Sequence, residues 1–218
     1  MVCLRSLRGG RTLLDPVRAV RCGQCGAVRC GAVHHGKVPD ALPPFRYHPD
    51  PVATGSIVGS TDRCLSCGRA RGYIYTGPVY AEDDIDEQLC PWCIADGTAA
   101  HRLDASFTDV GSDVPEDVPE PVLDEIEQRT PSYLAWQQDR WMYHCADGCE
   151  FLGRVGHEHL TLLPPKAAAA VVASVQEHGW DQDETDAFVE ALDPDEGPTA
   201  YLFRCLHCGR YQAYNDSP

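Results

Sequence analysis

The chain has 218 residues, 43% of them hydrophobic, and a formal charge of −15, which supports one principal folded core with room for a tail or a small second module. No run approaches eighteen apolar residues, which excludes a membrane-spanning helix by this signal, and the first twenty residues carry four arginines without an apolar run of seven, which argues against a secretory signal. Twelve cysteines without a secretory signal point to a reducing, cytoplasmic setting, where cysteines serve as metal ligands more often than as disulfides.

Charge divides the chain. Residues 1–37 hold seven Lys and Arg against one Asp, a balance of +6, whereas residues 38–218 hold eleven against thirty-two, a balance of −21. The acidic body repels phosphate backbones and attracts basic partners, so a nucleic-acid-binding role for the main domain is disfavoured. Plain solubility accounts for the same acidity.

In chain order, residues 1–41 are rich in Arg, Gly and Cys, lack apolar periodicity and end at ALPPF. They read as a basic appendage, either a disordered tail or an artefact of an upstream start, ahead of a domain spanning 42–218. Residues 45–108 read as short strands and turns, with a hairpin expected inside GYIYTGPVY around its Gly-Pro turn. Pro91 is placed to open a helix. The acidic, Pro-rich stretch 109–121 reads as an extended, solvated linker. Val118, Val122 and Ile126, with Leu123 beside them, give an amphipathic helix over 121–128 that ends before Pro131. Pro165 starts a helix that stops at Gly179. Asp183 is expected to cap a third, with Phe188, Val189 and Leu192 on its buried face and Pro194 at its end. A final strand pair, AYLFRC and RYQAY, brackets CLHCG.

The CPWC stretch at 90–93 poses a choice between a thiol redox centre and half of a metal site. A second pair, Cys64-x2-Cys67, precedes Cys90-x2-Cys93 by twenty-two residues. Two such pairs suit a tetrahedral zinc site, each wrapping two thiolates around one side of the ion, with Gly68 giving the first knuckle its permissive backbone. A redox pair would follow a buried strand in a βαβ unit, and that context is missing. Knuckle, hairpin and helix start together suggest a treble-clef-like site.

A second set is Cys145-x3-Cys149 and, fifty-five residues on, Cys205-x2-Cys208 followed by Gly209. These four form the expected second zinc site, with His144 able to replace one of the first pair and His207 facing away from its flanking cysteines. Buried free thiols are the alternative. A weaker third set, Cys22, Cys25, Cys30 and His35, lies in the appendage, with Cys3 and His34 nearby.

Several motifs, FRYHPDPVATGSIV (45–58), YTGPVYAEDD (75–84), CPWCIADG (90–97), ASFTD (105–109), RTP with WQQDRW (129–141) and AYLFRCLHCG (200–209), resemble the bacterial CbrC-like family, associated with colicin tolerance. The resemblance covers residues 43 to about 216. It implies a cytoplasmic, zinc-binding protein without an established activity, some of whose relatives look like immunity proteins of toxin systems. The family pattern matches Cys64, Cys67, Cys90, Cys93, Cys145, Cys205 and Cys208; Cys149 fits it less closely and the leader lies outside it.

Enzyme motifs are few. There is no GxSxG, HEHL at 157–160 has the wrong spacing for a metalloprotease, and no glycine loop suits phosphate. The carboxylate run Asp83, Asp84, Asp86 and Glu87 reads as a solvated face, and His48 in YHPDP as part of a rigid turn packed on a sheet near Asp50. The expectation is therefore an α+β, zinc-stabilised domain of treble-clef-like knuckles, short antiparallel strands and several helices. Its role would be to bind a basic protein, such as a toxin, held by aromatic residues such as Tyr133, Trp136 or Trp141. The competing expectation is a zinc hydrolase-like enzyme in which Cys145, Cys205 and Cys208 hold a metal with an open position and His144 acts as acid or base.

Overall fold

The computed structural model describes residues 40–111 and 114–218. The chain divides into two units, 1–37 and 38–218, and the described residues all belong to the second. The Cys22, Cys25, Cys30 and His35 set lies outside them.

The architecture mixes helices with two antiparallel sheets. Strand β1 (Ile57–Gly59) pairs with β2 (Tyr73–Tyr75), placing Ile57 opposite Tyr75. The expected hairpin within 72–80 does not form. Tyr73–Tyr75 turns back onto the residues before the Cys64 knuckle, so the knuckle occupies the connection between the two strands. The Gly-Pro segment instead leads to an isolated bridge between Tyr80 and Ser106, and the Tyr75 hydroxyl donates to Pro78 O at 2.9 Å. Tyr75 is fully buried, and burying that ring selects the long-range pairing over the local turn.

Helix α1 (Pro91–Ala95) has Pro91 in its first turn, where a missing N–H costs nothing. Gly97, with φ +76, turns the chain into α2 (Thr98–Leu103). These elements close an apolar cluster of Phe45, Ile57, Tyr75, Leu89, Ile94 and Phe107 around the first four cysteines.

Helix α3 (Glu120–Arg129) buries Ile126. The stretch before it is not wholly solvated: Val118 is buried, its N–H bonded to Pro115 O, and Val110 packs on the sheet core.

The second sheet runs in the order β3 (Tyr143–His144), β4 (Asp147–Val155), β5 (Thr199–Cys205), β6 (Tyr211–Asp216). Between β4 and β5 come α4 (Pro165–Gln176), followed by Gly179 at φ +74, and α5 (Gln182–Glu190). Helix α4 packs on β6. The cap of α5 is Asp181, two residues before the expected Asp183. Its carboxylate accepts from Glu184 N at 2.9 Å while Glu184 reaches back to Asp181 N at 3.2 Å. Asp-x-x-Glu satisfies two orphan donors at once, which Asp183 cannot do. The helix ends at Glu190, before Pro194, and Thr185 is its buried residue; Leu192 is buried just beyond the end. One face of the sheet carries an aromatic stack of Tyr133, Phe151, Phe203, Tyr201 and Tyr214, with Tyr133 and Phe151 4.0 Å apart between ring centroids.

Candidate metal centres

The first centre joins three pieces of chain. In the Cys64–Cys67 knuckle, Gly68 N–H donates to Cys64 O at 2.7 Å, a closure that needs the positive φ of +68 found there. Cys90 sits at the N-terminus of α1 with Cys93 one turn along, and Cys90 N–H donates to Cys64 Sγ at 3.3 Å. The four Sγ atoms lie within 4.8 Å of one another, with Cys67 and Cys90 3.9 Å apart. Tetrahedral zinc with Zn–S bonds near 2.3 Å requires sulfurs roughly 3.8 Å apart, so the donor set fits. Cys64, Cys90 and Cys93 are buried and Cys67 half-buried.

The electrostatics favour a cation. Accepting from Cys90 holds the Cys64 thiol down to about 4. Cys93 is pushed up to about 12 by burial and then by the charge on Cys64, and Cys90 is raised by sharing its proton with Cys64 and by burial. One thiolate therefore suppresses the next, and ionising all four requires a positive ion among them.

The second centre repeats the knuckle. Gly209 N–H donates to Cys205 O at 3.0 Å with φ +70, Cys205 N–H donates to Arg210 O at 2.8 Å, and His207 N–H donates to Cys205 Sγ at 3.4 Å. Facing it is the tip of the β3–β4 hairpin, where His144 pairs with Asp147 across a two-residue turn. Both turn residues, Cys145 and Ala146, have positive φ, 56° and 55°, as a primed hairpin turn demands. The ligand atoms of His144, Cys145, Cys205 and Cys208 lie within 4.8 Å of one another. His144 Nδ1 is 3.1 Å from Cys145 Sγ and 3.4 Å from Cys208 Sγ, near the roughly 3.5 Å edge expected around zinc. Cys205 is held down to about 6: burial opposes this, and N–H donors from Cys208 and His207 outweigh it.

Cys149 is not in this group. It lies inside β4, directly across from Cys205 in register, and its thiol donates to Gln212 Oε1 at 3.1 Å. Two further strand positions, each about 3.3 Å, separate it from the hairpin tip. Burial and then the neighbouring Cys205 push it up to about 12, the state of a neutral packed thiol. The fourth side chain of the cluster is His144, the replacement that its position beside Cys145 allows.

The supporting contacts of the second centre were not evident in the sequence. Asp147, 4% exposed, accepts from Arg46 at 2.6 Å, the Tyr47 hydroxyl at 2.7 Å, His207 Nε2 at 2.7 Å and Gly148 N–H at 2.9 Å. His207 therefore braces the knuckle against the hairpin from outside. The signal was His207 lying between two cysteines, but its partner is sixty residues away in sequence.

A mixed helix-and-sheet protein with, among its described residues, two four-donor clusters each able to hold a metal ion is the class these features define. The chain belongs to the uncharacterised protein family UPF0167, whose model matches residues 42–217. It is 50% identical over 184 residues to UPF0167 proteins of Mycobacterium bovis and Mycobacterium tuberculosis, covering 84% of this chain and 98% of each relative. It is 43% identical over 176 residues to a UPF0167 protein of Pseudomonas aeruginosa, covering 80% of this chain and 96% of the relative. These relatives carry the family name with no activity attached. No solved structure matches the chain. Among the described residues no helix is long and apolar enough to cross a membrane.

Proposed function

We propose that the protein is a cytoplasmic, zinc-stabilised binding protein whose partner is a basic protein. The observation that carries this reading is the convergence of His144 with Cys145, Cys205 and Cys208 in one cluster of four donors. Four protein donors leave no open position for water, whereas a catalytic zinc keeps one. His144 as a ligand is also unavailable as an acid or base, so the hydrolase-like reading loses both its metal-bound water and its proton carrier. Two surface clefts, of about 540 and 420 Å³, are lined by no residue of either centre. The treble-clef-like description fits the first centre in its knuckle and helix start.

Zinc at both centres ties distant segments together, and structural zinc supplies on the order of 10 kcal/mol to such sites. The basic partner follows from the −21 balance of residues 38–218 and from the exposed run Glu82, Asp83, Asp84, Asp86 and Glu87. Of the three aromatic residues expected to hold a partner, Tyr133 and Trp141 are buried, leaving Trp136, 40% exposed. A cationic toxin is one partner of this chemistry, in keeping with the CbrC-like resemblance.

The test is metal analysis followed by affinity capture. Purified protein should carry close to two zinc ions, and Cys64→Ser should lose one together with cooperative unfolding. Capture should return one or a few basic proteins in near-stoichiometric amounts, with binding that weakens as salt rises, and expression of the chain should protect cells if that partner is a toxin. Metal-free protein with a Cys90–Cys93 disulfide, or tight DNA binding at physiological salt, overturns the reading.

A further inference from the structure

The two centres differ in one respect that bears on chemistry. The first is enclosed: Cys64, Cys90 and Cys93 are 1%, 0% and 4% exposed and sit inside the apolar cluster with Phe45, Leu89 and Ile94. The second stands at the surface. Cys145 and Cys208 are both exposed, and they come from different segments, the hairpin tip and the knuckle. Thiolate character and access together set how fast a cysteine meets an oxidant. A metal-bound thiolate keeps its nucleophilic character, so access decides between the two centres.

We propose that the His144, Cys145, Cys205 and Cys208 centre is a peroxide-reactive site, at which oxidation joins Cys145 to Cys208 and releases the metal while the Cys64 centre keeps its own. This rests on the metal-binding reading of both clusters. One exposed thiolate attacks the O–O bond of hydrogen peroxide, becoming a sulfenic acid as the departing hydroxide takes a proton to form water. The second exposed thiolate attacks that sulfur, forming the disulfide and expelling hydroxide, which takes a proton to form a second water. Two electrons pass from the pair of thiolates to the peroxide, and two protons come from solvent. Only His144 and Cys205 then remain as donors, and two donors would not retain a metal ion.

The geometry favours this pairing. The two sulfurs already lie within 4.8 Å, and one of them rides on a tip that ends a two-residue strand, so only local movement is needed to bring them to bonding distance. Cys205 is buried beneath them, and Cys149, fully buried and bonded to Gln212, is out of an oxidant's reach. The first centre offers no comparable pair of exposed thiols.

Zinc-loaded full-length protein is first shown by metal analysis to hold two equivalents, then treated with hydrogen peroxide beside a chromogenic chelator. One equivalent should leave at least about tenfold faster than the other, and peptide mapping by mass spectrometry should find a Cys145–Cys208 disulfide. Reductant with added zinc should restore two equivalents. Cys149→Ala should release metal as the parent does. Cys208→His, which keeps a fourth donor but cannot form the Cys145–Cys208 disulfide, should release its metal more slowly than the parent under the same treatment. Loss of both equivalents at one rate, no release, or a disulfide placed among Cys64, Cys67, Cys90, Cys93 or Cys149 overturns the proposal, and the disulfide map of the parent decides even where Cys208→His binds no metal. Protein that lacks two equivalents before treatment refutes the metal reading itself.

Discussion

His48 shows how a histidine can be removed from titration by its surroundings. It is fully buried, its Nδ1–H donates to Pro131 O at 2.7 Å, its Nε2 accepts from the Thr54 hydroxyl at 2.7 Å, and the Phe151 ring meets it edge-on at 5.1 Å. Burial holds its pKa down to about 4, with the Pro131 carbonyl and Asp50 opposing. Because the folded form binds the proton more weakly than the unfolded chain, stability is full above about pH 6.5 and falls as pH drops toward 4, by about 3 kcal/mol. Thermal unfolding of His48→Phe should lack that part of the pH dependence, and the difference between the two profiles separates it from any metal lost in acid. Asp147 is the counterpart on the charged side. Asp147→Asn keeps the shape but removes the charge facing Arg46 and His207, and should cost about 2 kcal/mol in denaturant unfolding. An unchanged midpoint would mean that the charge on Asp147 contributes nothing net.

At the scale of elements, the β3–β4 hairpin carries the clearest local conflict. Its turn residues take positive φ without being Gly or Asn, a conformation that costs an alanine about 1 kcal/mol. Ala146→Gly should therefore stabilise the protein by roughly that amount, read as a higher melting temperature, while Cys145 is held by its place in the centre. Next to the turn, Gly148 has no room for a side chain: a Cβ there would lie 2.5 Å from Ile126 Cδ1 and 3.0 Å from Tyr47 Cε1. Gly148→Ala should destabilise by about 1–3 kcal/mol, because α3 and the Tyr47 segment would both have to move. The Asp181 box at the start of α5 is a separate device, and Asp181→Ala should cost about 1 kcal/mol, with faster amide exchange confined to that helix.

For the whole molecule, the boundary between the basic leader and the acidic body carries the prediction. Asp40 pairs with Arg71 at 2.9 Å, the Trp92 indole donates to Ala41 O at 3.1 Å, and Leu42 packs against the first apolar cluster. Removal of residues 1–39 should leave the melting temperature within a degree or two. Removal of 1–42 should lower it by several degrees, since about 1 kcal/mol shifts a domain of this size by 2–4 °C and two ties and a packed side chain go together. Equal melting temperatures for both truncations would show that these ties contribute little.

Several local signals carried directly from residues to structure. Cys-x2-Cys-Gly gives the same knuckle at 64–68 and 205–209 because a glycine with positive φ closes it. Pro91 and Pro165 open helices because proline suits the first turn, and Thr199–Cys205 and Tyr211–Asp216 pair because they bracket a short turn. The first four cysteines were recognisable as one set for the same reason: two pairs of fixed spacing, brought together by a short intervening segment. Tertiary structure decided what depends on register and burial. Strand β2 chose a partner before the knuckle rather than the nearby Gly-Pro segment, because that pairing buries Tyr75. Cys149 looked like a ligand from its spacing to Cys145, but the hairpin turn at 145–146 sends it two positions into β4, and His144 faces the knuckle in its place. A side chain's direction along a strand is fixed by where the turn falls, and the turn fell on Cys145 and Ala146, residues with no turn preference of their own, because the pairing of β3 with β4 put it there.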